Sequence, residues 1–113
     1  MQKPLYPIAS REIARKREQL TSETLAAWRA FSRQAFVEGA LPAKTKELIA
    51  VAVAHVTQCP YCIRYHTAGA QARGASEQEI MEAIWVAAEM RAGAAVAHSA
   101  LAIDAMKDGA QSE

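Results

Sequence analysis

The 113-residue sequence has almost no net charge, few cysteines and no long apolar run. Each absence excludes a class of protein. Thirteen basic and twelve acidic side chains give a formal charge of +1, so the positive surface of a nucleic-acid-binding protein is missing. No apolar run approaches the ~20 residues that cross a bilayer, so we expect no membrane segment. Two cysteines are too few for a secreted disulfide framework. We therefore expect a cytoplasmic protein with reduced thiols.

Alanine is abundant instead, with 26 copies in the chain. Because alanine is the best helix former and lets helices approach closely, this composition favours an all-helical fold. No two-residue alternation typical of strands appears. We predict a single compact all-α domain over residues 1–113, with about five to six helices. Residues 1–9 carry Pro4 and Pro7 and are predicted to form an extended N-terminal arm.

Residues that commonly begin helices stand before the apolar stretches: Ser10, Thr21, Ser22, Pro42, Pro60 and Ser76. The pattern leaves open whether residues 10–38 form two helices or one bent helix. The fourth predicted helix ends at Gly74, and "SEQE" (76–79) is a capping box that begins the fifth. Gly93 is predicted to separate the fifth helix from an apolar sixth.

Both cysteines lie in "CPYC" (59–62), at the predicted start of the fourth helix. There both sulfurs are near unpaired backbone N–H groups, which stabilise a thiolate and lower the pKa of a cysteine. His66 follows Cys62 by four residues, so the two side chains share a helix face. An imidazole there can take the thiol proton directly or through one water. This pattern predicts a redox-active dithiol.

A carboxylate in the third helix is predicted to orient this histidine. If the chain reverses near residues 57–59, Glu47 lies about 15 Å before the turn and His66 about 9 Å after it. The difference of about 6 Å is within side-chain reach. Glu47 also stands in the apolar run "ELIAVAVA", where an unpaired charge would be costly. We interpret Cys62, His66 and Glu47 as nucleophile, base and orienting group.

Two other interpretations of these side chains are open. A metal could bind Cys59, Cys62 and His66, completed by His55 or His98. Structural zinc usually takes its four ligands as two close pairs, and the sequence lacks a second pair. The cysteines could also act as a non-catalytic redox sensor or scaffold, in which disulfide formation alters assembly.

The segment "LPAKTKELIAVAVAHVTQCPYCIRYHTAGAQARGAS" (41–76) resembles the core of the alkylhydroperoxidase D and carboxymuconolactone decarboxylase family. The shared pattern is a glutamate, eleven residues, C-x-x-C, three residues and a histidine, which selects Glu47, Cys59, Cys62 and His66. The resemblance extends over about residues 41–98, roughly half of the chain. It implies an all-α fold, assembly into trimers or hexamers, and a peroxidase that reduces peroxides with thiols and needs no metal or organic cofactor.

The resemblance also implies a role for each residue. Cys62 attacks the peroxide, Cys59 resolves the sulfenic acid into a disulfide, and Glu47 with His66 relays protons. A dithiol or a protein reductant restores the thiols. Its position at the helix terminus alone would favour Cys59 as the attacking sulfur. Peroxidase members carry a histidine where this chain has Tyr61, and members with decarboxylase activity generally lack the cysteine pair, so we do not expect lactone chemistry.

Overall fold

The computed structural model of the chain describes residues 4–111. It contains five helices and, over that range, no strand: α1 (Arg11–Leu20), α2 (Ser22–Phe36), α3 (Ala43–Thr57), α4 (Pro60–Ala72) and α5 (Glu77–Gln111). The all-α prediction is therefore confirmed. The chain divides into two compact units, Met1–Ala43 and Lys44–Glu113, and the single-domain organisation stays a prediction. Residues 4–10 precede α1 without regular structure, whereas residues 1–3 of the predicted arm lie outside the described range.

The first unit carries two helices that separate at Thr21. The hydroxyl of Ser10 accepts a hydrogen bond from the backbone N–H of Ile13 at 3.2 Å, as predicted for the cap of α1. Thr21 donates both its backbone N–H (3.1 Å) and its hydroxyl (3.3 Å) to the carbonyl of Arg17. It therefore closes α1, and its side chain makes no capping hydrogen bond to α2. The predicted cap at Thr21 is wrong in that respect.

In the second unit, a tight turn reverses the chain between α3 and α4. Gln58 adopts a left-handed conformation with φ 58°, which lets the chain leave α3 abruptly. Cys59 is extended and Pro60 begins α4, where its fixed φ fits the first helical position and its missing N–H costs no hydrogen bond. The guanidinium of Arg91, from α5, donates to the carbonyl of Val56 at 3.0 Å. That contact satisfies a carbonyl in the last turn of α3.

The core of this unit forms where α3, α4 and the start of α5 meet. It consists of small or branched apolar side chains, with two others packed against it: Val51, Ala70, Ala75 and Ile80, then Leu48 and Ile84. Val51 and Ala70 are fully buried. Val51 follows Glu47 by one helical turn, and Ala70 follows His66 by one turn. Packing of the two apolar residues therefore fixes how the two polar residues face each other.

The predicted capping box begins α5. The Ser76 N–H donates to Glu79 Oε1 at 2.9 Å, and the Glu79 N–H donates to Ser76 Oγ at 3.0 Å. Lys44 Nζ lies 2.9 Å from Glu79 Oε2. The Ser76 N–H, followed by Lys44, lowers the pKa of Glu79, because both contacts favour the carboxylate.

The predicted break at Gly93 is wrong, because α5 is one helix of 35 residues that includes this glycine. A single glycine inside a helix costs only about 1 kcal/mol relative to alanine. Alanines at positions 92, 94 and 95 surround it and favour continuation of the helix. None of the helices among residues 4–111 is both long and apolar enough to cross a bilayer.

Candidate active site

The two thiols meet at the first turn of α4. Cys59 is the N-cap, and its sulfur accepts a hydrogen bond from the backbone N–H of Cys62 at 3.3 Å. This N–H has no carbonyl partner within the helix, so the sulfur replaces the oxygen of a usual capping residue. Both cysteines are half-buried free thiols. The predicted placement of the sulfurs at a helix start is therefore observed.

The hydrogen bonds of this pair separate the acidities of the two thiols. The Cys62 thiol and then the Cys62 backbone N–H lower the pKa of Cys59, since both donate to its sulfur. The same side-chain hydrogen bond, followed by burial, raises the pKa of Cys62. As pH rises, Cys59 therefore loses its proton first.

The predicted contact between α3 and α4 is present. Glu47 Oε2 lies 2.8 Å from His66 Nδ1, and both side chains are mostly buried, with 12% and 18% of their surfaces exposed. Because a carboxylate only accepts hydrogen bonds, Nδ1 carries the proton and donates it. In the neutral ring the basic nitrogen is then Nε2. Glu47 thus selects the tautomer of His66, as an orienting carboxylate does.

The face of α4 that carries His66 also carries Cys62 one turn earlier and Gly69 three residues later. Gly69 lies directly against the Glu47 carboxylate. A Cβ added at Gly69 would come within 2.8 Å of Oε2 and 2.9 Å of Cδ of Glu47. Gly69 was not among the predicted site residues. The sequence feature that could have indicated it is a glycine inside a predicted helix, on the same face as His66, the candidate base.

Two tyrosines of α4 lie near these groups in sequence. The ring of Tyr65 meets the imidazole of His66 edge to face, with centroids 5.1 Å apart and planes at 83°. Most of Tyr65 is exposed, and Tyr61, between the two cysteines, is also exposed. An aromatic edge against the imidazole adds a second restraint on its orientation.

The other two histidines contact their own helices. His55 Nδ1 lies 2.7 Å from the carbonyl of Val51, and His98 Nδ1 lies 2.7 Å from the carbonyl of Ala94. In the part of the chain that is described, no three or more His, Cys, Asp or Glu side chains are placed to hold one ion. Beyond the two neighbouring cysteines, the residues of the metal interpretation therefore do not converge on one point.

Comparison with known proteins identifies the family. Residues 22–105 match the carboxymuconolactone decarboxylase family. The chain belongs to this family. A protein of Paracoccus denitrificans, named uncharacterized protein 4 in cox locus, is 62% identical over 86 residues, covering 74% of this chain and 78% of its own length.

Solved structures of carboxymuconolactone decarboxylase family proteins have the same fold. One from Legionella pneumophila is 31% identical, with a TM-score of 0.68 over 86% of this chain and 87% of its own. One from Thermotoga maritima, for which a part in antioxidative response has been suggested, is 26% identical. Its TM-score is 0.58, over 80% of this chain and 96% of its own. These similarities confirm the family that the sequence motif indicates.

Proposed function

We propose that the protein is a thiol-dependent hydroperoxide reductase of the alkylhydroperoxidase type. The observation that carries the proposal is the 2.8 Å contact between Glu47 and His66, one helical turn after a pair of neighbouring thiols. A buried carboxylate that fixes the tautomer of an imidazole is how proteins prepare a general base. The antioxidative role suggested for the Thermotoga maritima relative supports the same chemistry.

In the proposed first half-reaction, His66 Nε2 takes the proton of Cys62, and Glu47 stabilises the resulting imidazolium. The Cys62 thiolate attacks the distal oxygen of the hydroperoxide. An S–O bond forms and the O–O bond breaks. The leaving alkoxide takes the proton from His66 and departs as an alcohol. Cys62 is oxidised to a sulfenic acid, and the peroxide is reduced.

In the second half-reaction, the Cys59 thiolate attacks the sulfur of the sulfenic acid. An S–S bond forms and the S–O bond breaks, and the leaving hydroxide takes up the proton that the Cys59 thiol released, which gives water. Two thiols and one hydroperoxide thus give a disulfide, an alcohol and water. The lowered pKa of Cys59 suits this step, because the resolving group must attack as a thiolate. A dithiol or a protein reductant then restores both thiols by exchange, in a reducing, cytoplasmic compartment.

The acidity of Cys59 favours a second candidate function. A thiolate at the N-cap of a helix is the attacking group of many dithiol reductases. In this alternative, Cys59 attacks a disulfide of another molecule, and Cys62 then resolves the mixed disulfide. The protein would reduce disulfides without a peroxide. The two candidates differ in which sulfur attacks first.

The proposal includes assembly of identical chains into a trimer or hexamer. The second half of α5 exposes large apolar side chains, among them Val96 (72%), Leu101 (67%) and Met106 (65%). Burial of these exposed apolar side chains against other chains would remove them from water. Light scattering is expected to give a mass several times 12.2 kDa. Leu101→Glu should lower that mass, whereas the polar replacement Asp104→Asn should leave it unchanged.

Peroxide consumption with a dithiol reductant tests the function. We expect Cys62→Ser to abolish turnover and His66→Gln to slow it, while His98→Gln serves as the matched control because His98 contacts only a carbonyl of its own helix among the contacts described. Cys62→Ser with full peroxidase activity would refute the proposed mechanism. Rapid disulfide reduction without peroxide turnover would favour the second candidate. Negligible turnover of both substrates, with an oxidation-dependent change in mass, would favour a redox sensor.

A further inference from the structure

We propose that Gly69 is a positioning residue for the proton relay: its missing side chain leaves the space in which the Glu47 carboxylate lies against His66. The inference rests on the proposed function for its effect on turnover. Its structural part concerns the Glu47–His66 contact alone and can be tested without any substrate.

The geometry leaves no room for a side chain at this position. A Cβ at Gly69 would lie 2.8 Å from Oε2, 2.9 Å from Cδ and 3.1 Å from Oε1 of Glu47. A Cβ essentially never lies closer than 3.0 Å to another atom, so Oε2 and Cδ, and with them the carboxylate, would be displaced. Oε2 is also the atom that accepts the His66 hydrogen bond. Even alanine at position 69 therefore competes with the imidazole for the position of this carboxylate.

The position in the helix explains why Gly69 has this effect. It follows His66 by three residues, so both residues lie on the same face of α4. Ala70, the next residue, is fully buried in the core with Val51 of α3. That packing holds the two helices close together one turn from the Glu47–His66 contact. Displacing the carboxylate therefore disturbs the hydrogen bond that Oε2 accepts from His66.

Replacing Gly69 should change the site and spare the fold. The displaced atoms are the end of a flexible side chain, and they can move without backbone rearrangement. Alanine is also a better helix former than glycine inside a helix. The position nevertheless carries glycine, which is the less stable choice for α4 alone. The contact with Glu47 accounts for that choice.

The test compares Gly69→Ala with Gly93→Ala. Gly93 is also inside a helix, and a Cβ there would approach only the end of the Glu89 side chain, at 3.3 Å. Both variants should fold, and circular dichroism and thermal unfolding check this. Long-range ¹H–¹⁵N correlation spectra of the imidazoles report which ring nitrogen carries the proton. We expect the native protein and Gly93→Ala to show His66 protonated at Nδ1.

We expect Gly69→Ala to shift His66 toward the Nε2-protonated tautomer and to slow peroxide reduction about tenfold, as the loss of one charge-assisted hydrogen bond does. A double-mutant cycle with Glu47→Ala isolates the cause, because in that background Gly69→Ala should change neither quantity further. An unchanged His66 tautomer in Gly69→Ala would overturn the inference, as would an equal effect in both backgrounds. Should the protein reduce no peroxide, the proposed function fails, but a shifted tautomer would still support the role of Gly69.

Discussion

Replacing Glu47 by glutamine removes one negative charge from the relay and keeps the shape of the side chain. The native contact includes a hydrogen bond of 2.8 Å between groups that are mostly buried. A hydrogen bond to a charged group contributes about 1.5–3 kcal/mol, and a neutral one about 0.5–1.5 kcal/mol. The charged hydrogen bond is thus about 1–1.5 kcal/mol stronger than the neutral one. Glu47→Gln loses this amount in the state in which His66 holds the thiol proton and is positively charged. Since 1.36 kcal/mol is a factor of ten in rate, we expect Glu47→Gln to slow peroxide reduction about five- to twelvefold.

A single-turnover measurement isolates this step. The protein is reduced beforehand, freed of reductant and mixed with hydroperoxide, and the loss of thiol is followed with time. Glu89→Gln is the matched control, because it removes the same charge from an exposed position of α5. Its rate should equal the native rate. A native rate in Glu47→Gln would refute the orienting role of this carboxylate, as would an equal loss in both variants.

Three further predictions concern stability and acidity. Val51→Ala should lower the free energy of unfolding by about 2 kcal/mol in urea titrations, because it leaves a cavity at a fully buried position. An unchanged urea midpoint would contradict the burial of Val51 in the core. The pKa of Glu79 is lowered from its ordinary value of 4.5 in the folded protein, so ionised Glu79 stabilises the folded state above pH 4.5. This contribution should be lost as the pH falls below that value and through the lower pKa of the folded state. Glu79→Gln should therefore flatten the acid limb of the stability profile. In the reduced protein, iodoacetamide should modify Cys59 at a lower pH than Cys62; modification in the reverse order would contradict the hydrogen-bond assignment.

The parts of the fold that local chemistry determines were predictable from the sequence. Ser10 and the Ser76–Glu79 box cap their helices through side chains only three residues from the N–H groups they satisfy. The Glu47–His66 contact was also predictable, because helix rise and one turn position fix its register. Such features depend on spacing, and spacing is read directly from a sequence.

The features that were not predicted depend on which atoms lie close together in the folded protein. Gly93 is of the residue type that often follows the end of a helix, yet α5 continues through it, with alanines on both sides. The role of Gly69 depends on a carboxylate from another helix, 22 residues earlier in the chain. The directions in which the pKa values of the two thiols shift depend on the contact between the two sulfurs and then on the backbone N–H that donates to Cys59. Each of these needs the positions of atoms that no local pattern specifies.

The central claim is that Cys62, activated by His66, reduces a peroxide and that Cys59 completes the disulfide. Trapping the sulfenic acid with dimedone in Cys59→Ser and in Cys62→Ser, followed by mass spectrometry, tests it most directly. We predict a dimedone adduct on Cys62 in the Cys59→Ser protein and none in Cys62→Ser. An adduct on Cys59 in Cys62→Ser, formed as fast as native thiol loss, would contradict the account.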